Sequence, residues 1–73
     1  MDYRERLRNI REDRDLTQTQ VAALLHMSQP GYSKYESGDN DIPTTILIQL
    51  ARIYNTSIDY LLGETSNPNR YKE

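Results

Sequence analysis

The side chains best suited to chemistry in this chain lie between positions 28 and 37, where polar residues recur at helical spacing. Gln29 can form a bidentate hydrogen bond with adenine N6 and N7, and the ring of Pro30 could touch a thymine methyl group. Lys34, one turn further along, can donate to guanine O6 and N7 or to a phosphate. This face is small, polar and almost uncharged, unlike an ordinary surface helix. The alternative to base contact is an idle, solvated surface.

Other classes of chemistry are excluded by composition. The chain has no cysteine, which removes disulfides, zinc ribbons and thiolate catalysis. His26 is the one histidine, so a histidine-rich metal site is also excluded. No Ser/His/Asp arrangement, pair of catalytic carboxylates or glycine-rich phosphate loop is visible. We therefore expect a protein that is not an enzyme and takes no metal or cofactor.

Length and charge narrow the class further. A chain of 73 residues has room for one domain. No apolar run approaches the roughly 18 residues that a membrane helix needs, and no export signal is visible, so a cytoplasmic protein without a membrane partner is expected. The net charge is −2, with six cations against six acids over residues 1–37 and three cations against five acids over 38–73. Because nucleic-acid binders usually carry a basic surplus, this acidic balance argues against strong phosphate binding.

Helical periodicity accounts for most of the chain and no strand pattern is present, so the predicted fold class is all-α. Gly38 and Gly63 are expected to end two of the helices, because glycine is favoured just after the last helical residue. Residues 64–73 are polar and are expected to form a frayed tail. The five predicted helices span residues 2–14, 18–25, 29–37, 44–54 and 58–62.

The clearest local signal is a pair of short helices joined by about three residues. Thr17 and Gln20 form a capping box, and Leu16 is placed to make a hydrophobic staple. Ser28 caps the next helix, with Met27 in the corresponding staple position. Two capped helices with so short a connection predict a helix-turn-helix.

The later helices are unusually apolar. Residues 46–54 are hydrophobic nearly all round, so this segment should be buried in the core or partly in an interface. We expect a two-fold contact that involves residues 54–66, and hence a homodimer. The predicted core comprises Leu7, Ile10, Val21, Ala22, Leu25, Tyr32, Tyr35, Leu47, Leu50 and Leu61.

The sequence resembles the Cro/repressor-type helix-turn-helix proteins, the XRE family, over about residues 3–63. The segments that carry the resemblance are Leu16-Thr-Gln-Thr-Gln-Val-Ala-Ala-Leu-Leu, Met27-Ser-Gln-Pro-Gly-Tyr-Ser-Lys-Tyr-Glu-Ser-Gly, Ile42-Pro-Thr and Leu50-Ala-Arg-Ile-Tyr-Asn-Thr-Ser-Ile-Asp-Tyr-Leu-Leu-Gly. It implies a compact five-helix, lambda-repressor-like DNA-binding domain over 1–63, followed by the tail. The family docks its third helix in the DNA major groove, commonly as a dimer.

The resemblance also implies residue roles. Gln18 matches a phosphate-contacting position, and Arg11 and Glu36 match a buried ion pair between the first and third helices. Two departures stand out: His26 replaces a turn glycine, and the acidic loop 39–41 replaces a basic one. The implied DNA-binding residues are Thr17, Gln18, Ser28, Gln29, Pro30, Gly31, Ser33 and Lys34.

The function that these observations favour is sequence-specific binding of double-stranded DNA. The expected protein is a transcriptional repressor that reads the major groove with helix 29–37, as a homodimer on an inverted repeat. The alternative is a protein-interaction module of the same fold, such as an antitoxin or an anti-repressor partner, which the acidic balance and loop 39–41 keep open. No small-molecule effector is evident, so regulation is expected through oligomerisation or a partner.

Overall fold

The computed structural model describes residues 2–69 and contains five helices and no strand within that range. The prediction of an all-α, five-helix fold is confirmed, and every predicted helix end lies within one residue of the observed one. No helix in the described part of the chain combines the length and apolar character needed to cross a membrane. The helices are α1 (Tyr3–Asp13), α2 (Gln18–Leu24), α3 (Gln29–Ser37), α4 (Thr44–Ile53) and α5 (Ile58–Leu61).

Three of the connections between helices share one construction. Two residues after the end of α1, α2 and α4 stands a residue with left-handed backbone, namely Asp15 (φ 57°), His26 (φ 58°) and Asn55 (φ 51°). The next N–H then donates to a carbonyl five residues back, which satisfies the exposed end of the helix as in a Schellman motif. These bonds run from Leu16 to Arg11 (3.2 Å), from Met27 to Ala22 (3.0 Å) and from Thr56 to Ala51 (2.9 Å).

Each of these turns leads directly into a capped helix. Thr17 and Gln20 form the predicted reciprocal capping box at the start of α2. The Ser28 hydroxyl accepts from the N–H of Gly31 (3.2 Å), and the Ser57 hydroxyl accepts from the N–H of Tyr60 (3.0 Å). A turn and a cap of two or three residues therefore set the angle between α2 and α3, and between α4 and α5.

The core is formed where all five helices meet. Most of the predicted core is buried, and Tyr35 is half-buried and packs against it. Leu47 is half-buried outside the cluster, so the prediction is wrong for Leu47. Tyr35 packs edge-on against Tyr32, with ring centroids 6.3 Å apart. Ala51 of α4 and Tyr54, the residue that follows this helix, are also buried. The buried apolar residues are Leu7, Ile10, Val21, Ala22, Leu25, Tyr32, Leu50, Ala51, Tyr54 and Leu61.

The segment that follows α5 is attached to the body of the domain. The hydroxyl of Thr56, which is itself buried, donates to the carbonyl of Pro68. The guanidinium of Arg6 donates to the carbonyl of Tyr60 (2.9 Å) and reaches that of Thr65 (3.5 Å). The carbonyls of Thr65 and Pro68 are therefore bonded to the domain, while residues 64 and 66–69 are exposed; residues 70–73 of the predicted tail lie outside the described residues.

Candidate nucleic-acid interface

The candidate site is the outer surface of α2 and α3. Pro30 and Lys34 are exposed on α3, with Thr17 and Ser28 exposed at the two helix starts. Four further residues are half-buried: Gln18, Gln29, Gly31 and Ser33. The sequence-predicted DNA-binding residues thus lie at the starts of α2 and α3 and along α3, and the side chains of Gln18 and Gln29 join the two helices.

The start of α3 is tightly built. A Cβ atom on Gly31 would lie 3.0 Å from the Ser28 hydroxyl and 3.2 Å from the terminal methyl of Met27. Gly31 thus leaves room for the Ser28 cap and for Met27 to pack against the core. Pro30 lies in the first turn, where its missing N–H costs no bond within the helix.

A chain of hydrogen bonds links this surface to the interior. The Gln29 side-chain amide donates to the Oε1 of Gln18 (2.7 Å), and the Gln18 amide donates to the Oε1 of Glu36 (3.2 Å). Arg11 donates two hydrogen bonds to the Glu36 carboxylate, of 2.8 Å from Nε and 3.1 Å from Nη2. The two groups expected to contact base and phosphate separately are therefore coupled to each other and to the ion pair.

The Glu36 carboxylate is almost completely enclosed, with 4% of its side chain exposed. Burial acts to raise the pKa of Glu36, but the hydrogen bonds from Arg11 and Gln18, together with the nearby Tyr32 hydroxyl, outweigh it and lower this pKa below its ordinary value. The carboxylate is therefore charged at neutral pH.

Two buried tyrosines lie behind this carboxylate. Burial raises the pKa of Tyr54 to about 12 and raises the pKa of Tyr32 further, so both phenols are neutral. Within the described residues their hydroxyls form no hydrogen bond of good geometry, although that of Tyr32 lies near Glu36. Both rings therefore serve as core.

Most of the arginines of α1 are occupied within the domain. Arg4 is bonded to Asp2 (2.7 Å), and Arg14 donates to the carbonyl of Tyr54 (2.8 Å). Arg6 stacks on Tyr60, 4.0 Å from the ring centre. The contacts of Arg4 and Arg6 therefore favour a structural role over binding of phosphate.

Lys34 is the one cation that the candidate surface presents on α2 and α3. The adjoining acidic residues Asp39 and Asp41 are exposed, so the loop after α3 adds no positive charge. No group of His, Cys, Asp or Glu suited to a metal ion occurs among the described residues. The surface can therefore form hydrogen bonds and one strong cation contact, but it has little capacity to neutralise phosphates.

The fold and this surface define a small helix-turn-helix domain, and comparison with known proteins gives the same class. The helix-turn-helix family model matches residues 7–61. No solved structure gives a significant match. The chain belongs to this helix-turn-helix family, which confirms the resemblance to Cro/repressor-type proteins.

Three relatives illustrate the range of the family. The chain is 38% identical to the HTH-type transcriptional regulator YobD of Bacillus subtilis, over 90% of this chain and 59% of YobD. It is 33% identical to the transcriptional activator BcrR of Enterococcus faecalis, over 86% of this chain and 31% of BcrR. It is 38% identical to the phage CTXphi transcriptional repressor RstR of Vibrio cholerae, over 86% of this chain and 56% of RstR.

The chain spans between about a third and three-fifths of the lengths of these relatives. The matched family is a helix-turn-helix family, and these three relatives are named as a transcriptional regulator, an activator and a repressor.

Proposed function

We propose that this protein is a transcriptional regulator that binds double-stranded DNA in a sequence-specific manner, with α3 in the major groove. The observation that carries the proposal is the Gln18–Gln29 pair at the start of α3, held at 2.7 Å. This pair holds the Gln29 amide at the end of the helix that enters the groove first.

The chemistry of the surface supports reading of bases over binding of backbone alone. Gln29 has one N–H and its Oε1 left after donating to Gln18, which is the pattern that adenine N7 and N6 require. Pro30 and Ser33 supply small contacts beside it, and Lys34 can reach guanine or a phosphate. Half or more of the bonds in such interfaces go to the DNA backbone, and here Gln18 and the start of α2 take that part.

The alternative, a protein-binding module, is less well supported by this surface. Protein-binding faces usually present aromatic or aliphatic anchors. Leu24, with 51% exposure, is the one exposed large hydrophobic residue in the described part of the chain, and it lies on α2. The exposed face of α3 carries no such anchor.

We further propose a homodimer on an inverted repeat. Leu47, Ile48 and Leu62 are half-buried apolar side chains that do not pack into the core cluster. A second copy that covers Leu62 and its neighbours would form such a dimer, and binding to both half-sites requires its two α3 helices to lie roughly 34 Å apart, one turn of DNA. The name of RstR supports repression as the outcome of binding, whereas that of BcrR shows that an activator also occurs among the relatives.

Selection of binding sites from random duplex DNA tests the proposal. A preferred sequence with two-fold symmetry is the expected result, and the absence of any preferred duplex would overturn it. Gln29→Ala should then cost roughly 1–3 kcal/mol of binding free energy at one base pair of the half-site. A promoter reporter that carries the selected site separates repression from activation.

The dimer is tested by sedimentation on the selected site. Leu62→Lys should reduce two protomers per duplex to one, whereas Asn9→Lys, which adds the same charge on an exposed position of α1, should leave two. Unchanged stoichiometry in Leu62→Lys would contradict an interface at this position.

A further inference from the structure

We infer that the buried carboxylate of Glu36, which the DNA does not touch, selects adenine over guanine by fixing which way round the Gln29 amide is held. The inference rests on the proposed function, because it concerns the same surface and names the base at one position. Glu36 is in this sense a positioning residue that acts through Gln18.

The first step is the orientation of Gln18. An ionised carboxylate only accepts hydrogen bonds, so the group that faces Glu36 across 3.2 Å must be the NH₂ of Gln18 and not its carbonyl oxygen. The carbonyl of Gln18 then points in the opposite direction, toward α3. Arg11 keeps Glu36 in the charged, accepting form through its two bonds.

The second step is the orientation of Gln29. The carbonyl of Gln18 accepts at 2.7 Å, so the group of Gln29 that faces it must be the NH₂. One N–H and the carbonyl oxygen of Gln29 remain for the DNA. Adenine offers an acceptor at N7 and a donor at N6, which this pattern matches, whereas guanine offers two acceptors, at N7 and O6.

The same logic predicts what happens when the direction of these hydrogen bonds is reversed. In Glu36→Gln, the new carbonyl keeps the shorter bond from Arg11 Nε (2.8 Å). The new NH₂ then takes the place of Oε1, where it faces Gln18 and gives up the longer bond from Arg11 Nη2 (3.1 Å). Gln18 then turns its carbonyl inward and its NH₂ toward Gln29, which in turn presents its carbonyl. Gln29 is left with both N–H groups free, which is the pattern that guanine accepts.

The experiment measures the ratio of affinities for two duplexes, the selected site and the same site with the Gln29 base pair changed from A·T to G·C. The ratio should fall by about tenfold or invert in Glu36→Gln, in keeping with the discrimination that one bidentate contact provides. An unchanged ratio in a folded Glu36→Gln protein would overturn the inference.

A matched control separates positioning from loss of stability. Ile10→Ala removes a buried side chain of α1 that takes no part in the hydrogen-bond chain. It should lower the free energy of unfolding while the ratio stays at the wild-type value. A ratio that falls equally in Ile10→Ala and Glu36→Gln would show that stability, and not orientation, sets the preference.

A second variant covers the case in which Glu36→Gln does not fold. Gln18→Met keeps a long side chain at a half-buried position but removes the hydrogen bonds that link Glu36 to Gln29. The A·T preference should therefore weaken without inverting. If Gln18 acted on phosphate alone, Gln18→Met would lower affinity for both duplexes equally. That result would overturn the inference.

The orientation can also be measured without DNA. Nitrogen-15 relaxation of the side-chain amides should show Gln29 to be rigid in the wild type and mobile in Gln18→Met. A mobile Gln29 amide in the wild type would overturn the inference even if the protein binds DNA as proposed. A rigid Gln29 amide in a protein that selects no duplex would instead contradict the proposed function, and would leave the hydrogen bonds from Glu36 to Gln29 as a purely structural feature.

Discussion

Arg11 of α1 and Glu36 of α3 face each other through two hydrogen bonds, with 11% and 4% of their side chains exposed. Arg11 also donates to the carbonyl of Leu16 at 2.8 Å, at the turn that leads into α2. One guanidinium thus joins α1, the turn before α2 and the inner side of α3. The ion pair lies at the point where the core of the domain meets the surface proposed to read DNA.

Removal of one member of this pair should be costly. Arg11→Met leaves the Glu36 carboxylate buried without its cation, and we expect a loss of about 3–5 kcal/mol in the free energy of unfolding. Urea denaturation measures it. Arg8→Met is the matched control because the Arg8–Glu12 pair is exposed and 3.9 Å apart; its loss should stay within about 0.5 kcal/mol. Equal losses in the two variants would show that burial of the pair does not matter.

The same pair should make the free energy of unfolding of the domain depend on pH. The folded-state pKa of Glu36 lies below its ordinary value of 4.5, so its contribution to stability is complete above that value. It is lost as the pH falls through the lower, folded-state pKa. The stability difference between wild type and Arg11→Met should therefore be large at pH 7 and shrink as the pH falls, because Glu36 takes up a proton first in the variant, where it is buried without its cation, and only at lower pH in the wild type.

Comparing these two proteins isolates Glu36 from other acids. The hydrogen bonds from Arg4 lower the pKa of Asp2 to about 2, but this contribution is present in both proteins and cancels. Urea titrations at several pH values measure the difference. A gap that stays constant between pH 7 and pH 3 would assign the stabilisation to something other than the charge of Glu36.

Much of the fold follows from local chemistry and could be predicted. Thr17 and Ser28 cap helices through their own side chains, and His26 and Asn55 tolerate left-handed backbone, so these signals act within a few residues. The ion pair between Arg11 and Glu36 is different: it joins positions 25 residues apart, and only the resemblance to a family pointed to it.

The remaining features depend on tertiary geometry. Arg14 and Arg6 donate to backbone carbonyls, which every residue possesses, so no pattern of side chains indicates the partner. The contact between Gln18 and Gln29 depends on the angle at which α2 and α3 meet, which the sequence does not state. The segment after α5 is attached in part through the buried hydroxyl of Thr56, which looks like an ordinary loop residue in the sequence.

The turn of the helix-turn-helix carries strain that can be released. His26 has φ 58°, a conformation in which its Cβ is crowded and glycine is not. His26→Gly should raise the free energy of unfolding by about 1 kcal/mol, as glycine is favoured at this position after a helix. Thermal or urea unfolding measures the change.

The control for this prediction is glycine within a helix. Ala23 is exposed in α2, so Ala23→Gly should instead lower the free energy of unfolding by roughly 1 kcal/mol. If His26→Gly were also destabilising, the left-handed residue would not be strained in this turn. Equal DNA affinity of His26→Gly and wild type would show that the exposed imidazole takes no part in binding.

Binding should depend only weakly on salt. Lys34 is the one cation of the candidate surface on α2 and α3, and Arg4, Arg6 and Arg14 are engaged within the domain. We therefore expect affinity for the selected duplex to fall with salt at a slope that corresponds to roughly 2–4 released counterions per subunit. Fluorescence anisotropy titrations between low and moderate salt measure the slope. A steep slope, typical of a strongly basic binder, would show that residues outside this surface hold the phosphates.

Lys34 itself has two possible roles, and one substitution separates them. If Lys34 donates to guanine O6 and N7, Lys34→Gln should change the preferred base at one position and leave the salt slope nearly unchanged. If Lys34 holds a phosphate, affinity should fall equally for all duplexes and the slope should decrease by about one counterion. Because Lys34 is exposed, the fold should not change in either case, and equal unfolding free energies serve as the control. If neither Lys34→Gln nor Gln29→Ala alters binding to any duplex, the outer face of α3 is idle in DNA binding and the protein-interaction alternative is correct.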